Sequence, residues 1–338
     1  MSIILAEGWQ TFADKSEIQF GWPLHASINT TANFAGVSGR RTLDLYGSKV
    51  AKAFTPARKV CAHFIVDLTA GTVGSTTLFQ FGLNPPNIQS TGYTSTSSDR
   101  FRVVAFGSNL QVVRSPFSPD GTVQSGTQTV AQVAHGMSAG ASYRVEVMVD
   151  VTSETGVCEV LINGVSVLNS EFSRAYAGFA CDAPFGIVSL FAQSTSGVRG
   201  RLSNVILYDV DADTPWPVGP LNITYMPAAG RPGETFTFPP ALTDSEVPVT
   251  TTTGETWGFS PPPVTTSIKA IIGHLRLAAP DAVVPASADV SYLHDGGSLV
   301  IETHQVQPGT PVLDRFVRIP NSAATSLADI KLNVRLTP

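Results

Sequence analysis

From Tyr143 to Val151 the chain alternates. Val145, Val147, Val149 and Val151 share one parity; Arg144, Glu146, Met148 and Asp150 share the other. A period of two marks a strand with one buried face. A second run, Val157–Ile162, meets Asn163-Gly164 and returns through Val165–Leu168. Asn-Gly accepts the positive φ angles of a tight type I′ turn, so the pattern predicts strand, hairpin, strand. Short apolar runs between Gly, Pro, Asn and Asp predict further strands at Lys59–Leu68, Thr77–Phe81, Phe101–Phe106, Leu110–Arg114, Gly186–Ala192 and Arg201–Val210. The run KVCAHFIVDL is apolar on both parities except at His63 and Asp67, which predicts a central strand covered on both faces.

The pattern breaks at Asp213–Arg231, where four prolines block ladder hydrogen bonds. Three segments follow: a first domain over 1–215, a Pro-rich linker over 216–231 and a second domain over 232–338. In the last, strands are predicted at Ile268–Leu277, Asp289–Leu293, Ser298–Thr303, Val312–Ile319 and Ile330–Leu336, with a hairpin turn at His294–Ser298. That number of strands in such a length suits a small β-sandwich. Charged residues are only 14% of the 338, Gly and Pro are plentiful, and no long amphipathic helix is evident. The fold class is all-β.

A net charge of −5 offers nothing to a polyanion, which argues against nucleic acid as a partner. No run of 18 apolar residues is present, so no membrane insertion is expected. The start, MSIILAEGWQ, lacks a basic n-region and is not read as a signal peptide. Cys61, Cys158 and Cys181 are odd in number and far apart, so buried free thiols are expected rather than a disulfide framework.

Several segments together resemble the concanavalin A-like, laminin-G-type jelly roll of tailed-bacteriophage virion proteins. They are the opening IILAEGWQTF, the hairpin GVSGRRTLDL, the long alternating run VEVMVDVTSETGVCEVLINGVSV, and the closing strand and exit RLSNVILYDVDADTPWPVGPLNITYMPAAG. The resemblance covers about residues 1–230. It implies an N-terminal concanavalin A-like jelly-roll sandwich followed by a smaller C-terminal β-sandwich. It also implies a virion structural protein on the external surface of the particle, made in the bacterial host cytoplasm. The expected role is a tail-associated fibre, spike or tip protein that adheres to the host surface or its glycan. The alternative is a capsid decoration (cement) protein; a third reading is a glycan-cleaving enzyme. Catalysis is not expected.

Candidate chemistry is sparse. Binding is placed on Asn84–Asp99, a polar connection with Asn87, Tyr93, Ser95 and Asp99, because tyrosine and small polar residues suit adaptable recognition. Ser115–Ser125 is a second such loop. Tyr93, Phe101, Phe117 and Trp257 are aromatics in or beside loops, suited either to sugar stacking or to packing. Phe236, Phe238, Trp257 and Phe259 lie in a nearly uncharged Thr/Pro-rich stretch, expected to contact other virion proteins or another copy in a homo-oligomer, with a trimer favoured. Asp209, Asp211 and Asp213 offer hard oxygen ligands for Ca²⁺. Thr214 and Pro220 stand where an EF-hand-type loop needs Gly and Glu, so a solvated strand end and no cofactor are expected. Glu146, Asp150 and Glu154 are read as the polar face of an amphipathic strand rather than as paired glycosidase carboxylates. The six histidines show no metal-ligand spacing, although His294 and His304 fall on neighbouring strands.

Overall fold

The Val145–Val151 parity forms the inner face of a large β-sandwich. The computed structural model describes residues 2–9, 18, 22, 25–27, 34–37, 40–44, 49–70, 76–83, 100–106, 108–115, 128–176, 179–180, 185–191, 199–210, 216–221 and 223, and beyond them 255–258, 271–277, 286–294, 297–306, 313–319 and 331–337. The chain divides into two compact units: Met1–Trp9 with Asp14–Ile223, and Gln10–Ala13 with Thr224–Pro338.

The described strands of the first unit are β1 (Ser2–Glu7), β2 (His25–Ser27), β3 (Phe34–Val37), β4 (Arg40–Asp44), β5 (Lys49–Ala57), β6 (Lys59–Ala70), β7 (Thr76–Leu83), β8 (Arg100–Phe106), β9 (Asn109–Ser115), β10 (Gln128–Ala134), β11 (Ser142–Asp150), β12 (Thr155–Ile162), β13 (Val165–Ser173), β14 (Ala175–Tyr176), β15 (Phe179–Ala180), β16 (Phe185–Phe191) and β17 (Arg199–Asp209). Among them, β13-β12-β11-β6-β17-β4-β3, with β1 also on β17, make an eight-stranded sheet; β10-β9-β8-β7-β16-β5-β2 make a seven-stranded one. This is the expected jelly-roll sandwich. The run KVCAHFIVDL is central, between β11 and β17, and all of it but Lys59 and Ile65 is buried, His63 and Asp67 included.

Aromatic rings fill the space between the sheets. Phe64 of the larger sheet stacks on Phe79 of the smaller, with centroids 5.3 Å apart. The contacts continue through Phe81, Phe185 and Phe101 to Phe172 on β13. Large apolar side chains brought together in this way dominate core energetics. Asn163 and Gly164 take φ of 52° and 83°, the left-handed pair expected of the Asn-Gly turn. Asn163 also accepts the Arg144 backbone N–H through Oδ1 at 2.9 Å, which docks the hairpin on β11.

One glycine in this sheet is dictated by its neighbour. Gly156 on β12 stands opposite Phe172 on β13. A Cβ at position 156 would overlap the Phe172 ring. That ring is in turn held by Phe101 and sits near the Arg114 guanidinium, so it has little room to yield. Gly156→Ala is expected to lower unfolding free energy by about 1–3 kcal/mol, read as a fall in denaturant midpoint at unchanged slope.

The second unit holds β18 (Glu255–Gly258), β19 (Ile271–Leu277), β20 (Ala286–His294), β21 (Gly297–Val306), β22 (Leu313–Ile319) and β23 (Lys331–Thr337). Among the described residues they form the sheets β18-β23-β20-β21 and β19-β22, a smaller sandwich. His294 pairs with Gly297, as the Asp-Gly-Gly sequence predicts. Within the Thr/Pro-rich stretch, Glu255–Gly258 forms a strand at the edge of this sheet among the described residues, with Trp257 opposite Leu332.

Candidate functional site

Two places in the first unit carry more than scaffold. The first is one end of the smaller sheet. Gly82 pairs with Arg100, Arg100 with Ser115, and Arg114 with Gln128. The chain therefore enters and leaves both 84–99 and 116–127 at the same end of the sandwich. Beneath that end lies Arg114, fully buried. Its Nη1 donates to the Ser173 carbonyl at 2.9 Å and its Nη2 to the Arg174 carbonyl at 2.7 Å. Its guanidinium lies 5.5 Å from the Phe101 centroid and 5.9 Å from that of Phe172. A planar cation that donates twice and stacks ties the two sheets together where the loops depart. Phe101, a candidate loop aromatic in the sequence, is 3% exposed and belongs to the core. Asn87, Tyr93, Ser95, Asp99 and Phe117 lie outside the described residues.

The second place is the outer face of the larger sheet. The first unit runs on to Ile223, past the expected start of the linker at 216, because this exit segment packs back on the sheet. Trp216, Val218, Leu221 and Ile223 cover Cys61, Met148, Ile206 and Tyr208. Prolines keep the segment out of the ladder, yet its apolar side chains are half-buried against the sheet. Trp216 Nε1 donates to Glu159 Oε2 at 2.7 Å.

Beneath this strap, Glu146 on β11 and His63 on β6 are cross-strand partners, both without exposed surface. This corrects the reading of Glu146 as part of a solvated strand face: the strap seals it. Arg144 Nε lies 3.9 Å from Glu146 Oε1. The Gly219 backbone N–H approaches the carboxyl without closing a short hydrogen bond. Burial raises the Glu146 pKa above its ordinary value, against the opposing pull of Arg144 and, more weakly, of the Gly219 backbone N–H.

The partners of His63 define its tautomer. Nδ1 faces the Asn204 carbonyl at 3.3 Å, and Nε2 accepts the Leu221 backbone N–H at 3.4 Å. The proton therefore sits on Nδ1 and the ring is neutral. Burial pulls the His63 pKa down to about 4, opposed by the bond to Asn204 and aided by the nearby Arg144 charge. Asn204 has φ of 50°, inside a register shift of β17 between Ser203 and Ile206. A bulge re-aims backbone groups, and this one accompanies the Asn204 carbonyl at His63. The Tyr208 hydroxyl and the Cys61 thiol are pushed up by burial and stay neutral. Cys158 faces the inter-sheet core and is raised to about 12. Both described thiols are free and buried, as expected; Cys181 lies outside the described residues.

The remaining sequence candidates separate. Asp150 bonds the Thr152 backbone N–H at 2.9 Å and meets Lys59 at 3.4 Å. Glu154 is exposed in the following turn. Asp209 ends β17 exposed, while Asp211 and Asp213 lie outside the described residues. His304 pairs with Ala288 and His294 with Gly297, at opposite ends of their hairpin, so the two do not meet. Among the described residues no group of three His, Cys, Asp or Glu is placed to hold a metal, and no helix is long and apolar enough to cross a membrane. Phe236, Phe238 and Phe259 lie outside the described residues, as does the side chain of Trp257.

No protein-family model matches the chain, and no curated protein matches it in sequence. Solved structures do. It is similar to alginate lyase vAL-1 from Chlorella virus, at 9% identity over 53% of this chain and 89% of that one, with a TM-score of 0.40. The globular domain of T. cruzi calreticulin gives 12% identity over 63% and 90%, also at 0.40. The carbohydrate recognition domain of Emp46p gives 10% over 60% and 95%, at 0.39. At these identities and TM-scores the likeness is one of β-sandwich architecture and assigns no chemistry to this chain.

Proposed function

We propose that this chain is a virion structural protein of a tailed bacteriophage, carried on the outside of the particle as part of a tail fibre, spike or tip. It works by adhesion to the host surface or its glycan, through the loop-bearing end of the first sandwich, and not by catalysis. One observation carries the reading: the strand register sends both long polar connections, 84–99 and 116–127, out of one end of a sandwich stiffened there by Arg114. Recognition loops on a rigid scaffold are the common arrangement for binding. The sealed state of the Glu146–His63 pair supports a non-catalytic role, since a substrate has no access to either group while the strap is in place.

The protein acts as a homo-oligomer, a trimer, through the stretch that carries Phe236, Phe238, Trp257 and Phe259. β18 is an edge strand with no second neighbour among the described strands, and such an edge offers backbone groups to another chain. A purified protein that keeps monomer mass at high concentration would remove this part of the reading.

The decisive experiment replaces Asn87 and Tyr93 by alanine in the particle. The expected result is an unchanged thermal midpoint and at least about a tenfold loss of host-cell adsorption, equivalent to ~1.4 kcal/mol of binding. Intact adsorption would sink the adhesive role. Loss of particle stability with normal adsorption would transfer the chain to capsid decoration.

A further inference from the structure

The strap rests on a buried imidazole that tolerates it in one protonation state. We infer that residues 216–221 are an acid-released strap, closed while the His63 ring is neutral and released when the ring gains a second proton. The inference is independent of the adhesive reading.

The geometry makes the case. The neutral ring accepts the Leu221 N–H at Nε2 and donates from Nδ1 to Asn204. A second ring proton would set N–H against N–H at Leu221, turning the strap's hydrogen bond into a repulsion. Glu146, the cross-strand partner of His63, lies under the strap beside Arg144 and the Gly219 backbone N–H. The left-handed Asn204 and its bulge hold the carbonyl that selects the ring tautomer. Residues 216–223 contain no titratable side chain, so the gate lies in the sheet beneath them.

The charged and titratable neighbours do not supply a rival gate. Arg144 shares the face with Glu146 on β11. Asp150 is occupied by Lys59 and Thr152. Glu159 on β12 accepts from Ser166 and Trp216. Asp67 on β6 is bonded by Ser142. Cys61 and Tyr208 are neutral, Asp209 is exposed at the strand end, and β1 contributes Ile3 and Ala6 to this face.

The His63 pKa is depressed, so its contribution to closure is present above the ordinary 6.5 and is lost as pH falls through about 4. The Glu146 pKa is raised, which gives a slope of the opposite sign above the ordinary 4.5, so the acid limb is read in the Glu146→Gln background, where His63 titrates without it.

Cys61 lies directly under the strap, whereas Cys158 points into the inter-sheet core, so the protein carries its own reporter and control. The test is the rate of modification of each thiol by dithiodipyridine across pH, located by peptide mapping and divided by the rate of an unstructured cysteine peptide. In Glu146→Gln, Cys61 is expected to react at least about tenfold faster below about pH 4 than above about pH 6.5 (~1.4 kcal/mol in opening), with Cys158 unreactive throughout. Adding His63→Gln should flatten this acid limb, since glutamine can bond Leu221 and Asn204 without gaining charge. Parallel reactivity of Cys61 and Cys158 would mean global unfolding and overturn the proposal, as would survival of the acid limb without His63. If a variant does not fold, ¹⁵N spectra of the wild-type ring decide. Proton gain at His63 must coincide with loss of hydrogen-exchange protection at the Leu221 amide; a Leu221 amide that opens while the ring stays neutral refutes the gate.

Discussion

Arg114→Met is expected to destabilise the first unit by about 2–4 kcal/mol, among the largest effects of any single change in it. The side chain is fully buried and its guanidinium donates to two carbonyls, those of Ser173 and Arg174. Hydrogen bonds to a charged donor are worth more than neutral ones, and a buried carbonyl left without its donor keeps its full desolvation penalty. Methionine fills much the same volume, which limits any cavity effect and isolates the polar loss. The contacts with the Phe101 and Phe172 rings disappear as well. Arg114→Lys should rescue little, because an ammonium cannot donate as a planar fork while lying over two rings. Urea unfolding measures both variants. A loss under ~1 kcal/mol for Met, or full rescue by Lys, would mean that Arg114 is not the tie between the sheets. Because Arg114 lies at the end from which 84–99 and 116–127 depart, Arg114→Met should also weaken any binding made by those loops.

The sandwich was legible where the signal is local. The Val145–Val151 parity, the Asn163-Gly164 turn and the doubly apolar KVCAHFIVDL each encode their structure within a few residues, and each forms what it predicts. The sealed cluster was not legible, because what buries it is distant in sequence. Glu146 shares its parity with Arg144 and Asp150, the pattern of a solvated face, and the exit segment, with Gly219 at the carboxyl, comes from far along the chain. The prolines of that segment correctly announce chain outside the ladder, but exclusion from the ladder does not exclude burial. His63 was the available hint: an imidazole in an otherwise apolar central strand needs a partner, although nothing local identifies Asn204 or Leu221 as that partner. The role of Arg114 was not legible either, since nothing near it in sequence identifies the Ser173 and Arg174 carbonyls of the opposing sheet. The Asn204 bulge leaves no mark in the alternation of RLSNVILYD.

Trp9 makes the second large prediction. Its ring is fully buried, donates from Nε1 to the Leu202 carbonyl at 2.9 Å and stacks on Trp22 at 5.7 Å. Its backbone N–H is taken by Glu7 Oε1 at 2.7 Å, and the Trp22 indole reaches the other Glu7 oxygen at 3.4 Å. Trp9→Ala should therefore cost about 3–5 kcal/mol, as large-to-small changes at buried aromatics do. The backbone adds a second, separable effect. Trp9 sits at φ of 62°, a left-handed conformation that costs a residue with a Cβ roughly 1–2 kcal/mol. Glycine carries no such penalty, so Trp9→Gly should be at least as stable as Trp9→Ala, reversing the usual order of the two in ordered chain. Chemical denaturation of the pair reads both effects together. A Trp9→Gly protein clearly less stable than Trp9→Ala would show that the chain abandons the left-handed turn once the indole is gone. In that case the ring, not the Glu7 bond to the backbone, is what holds the turn.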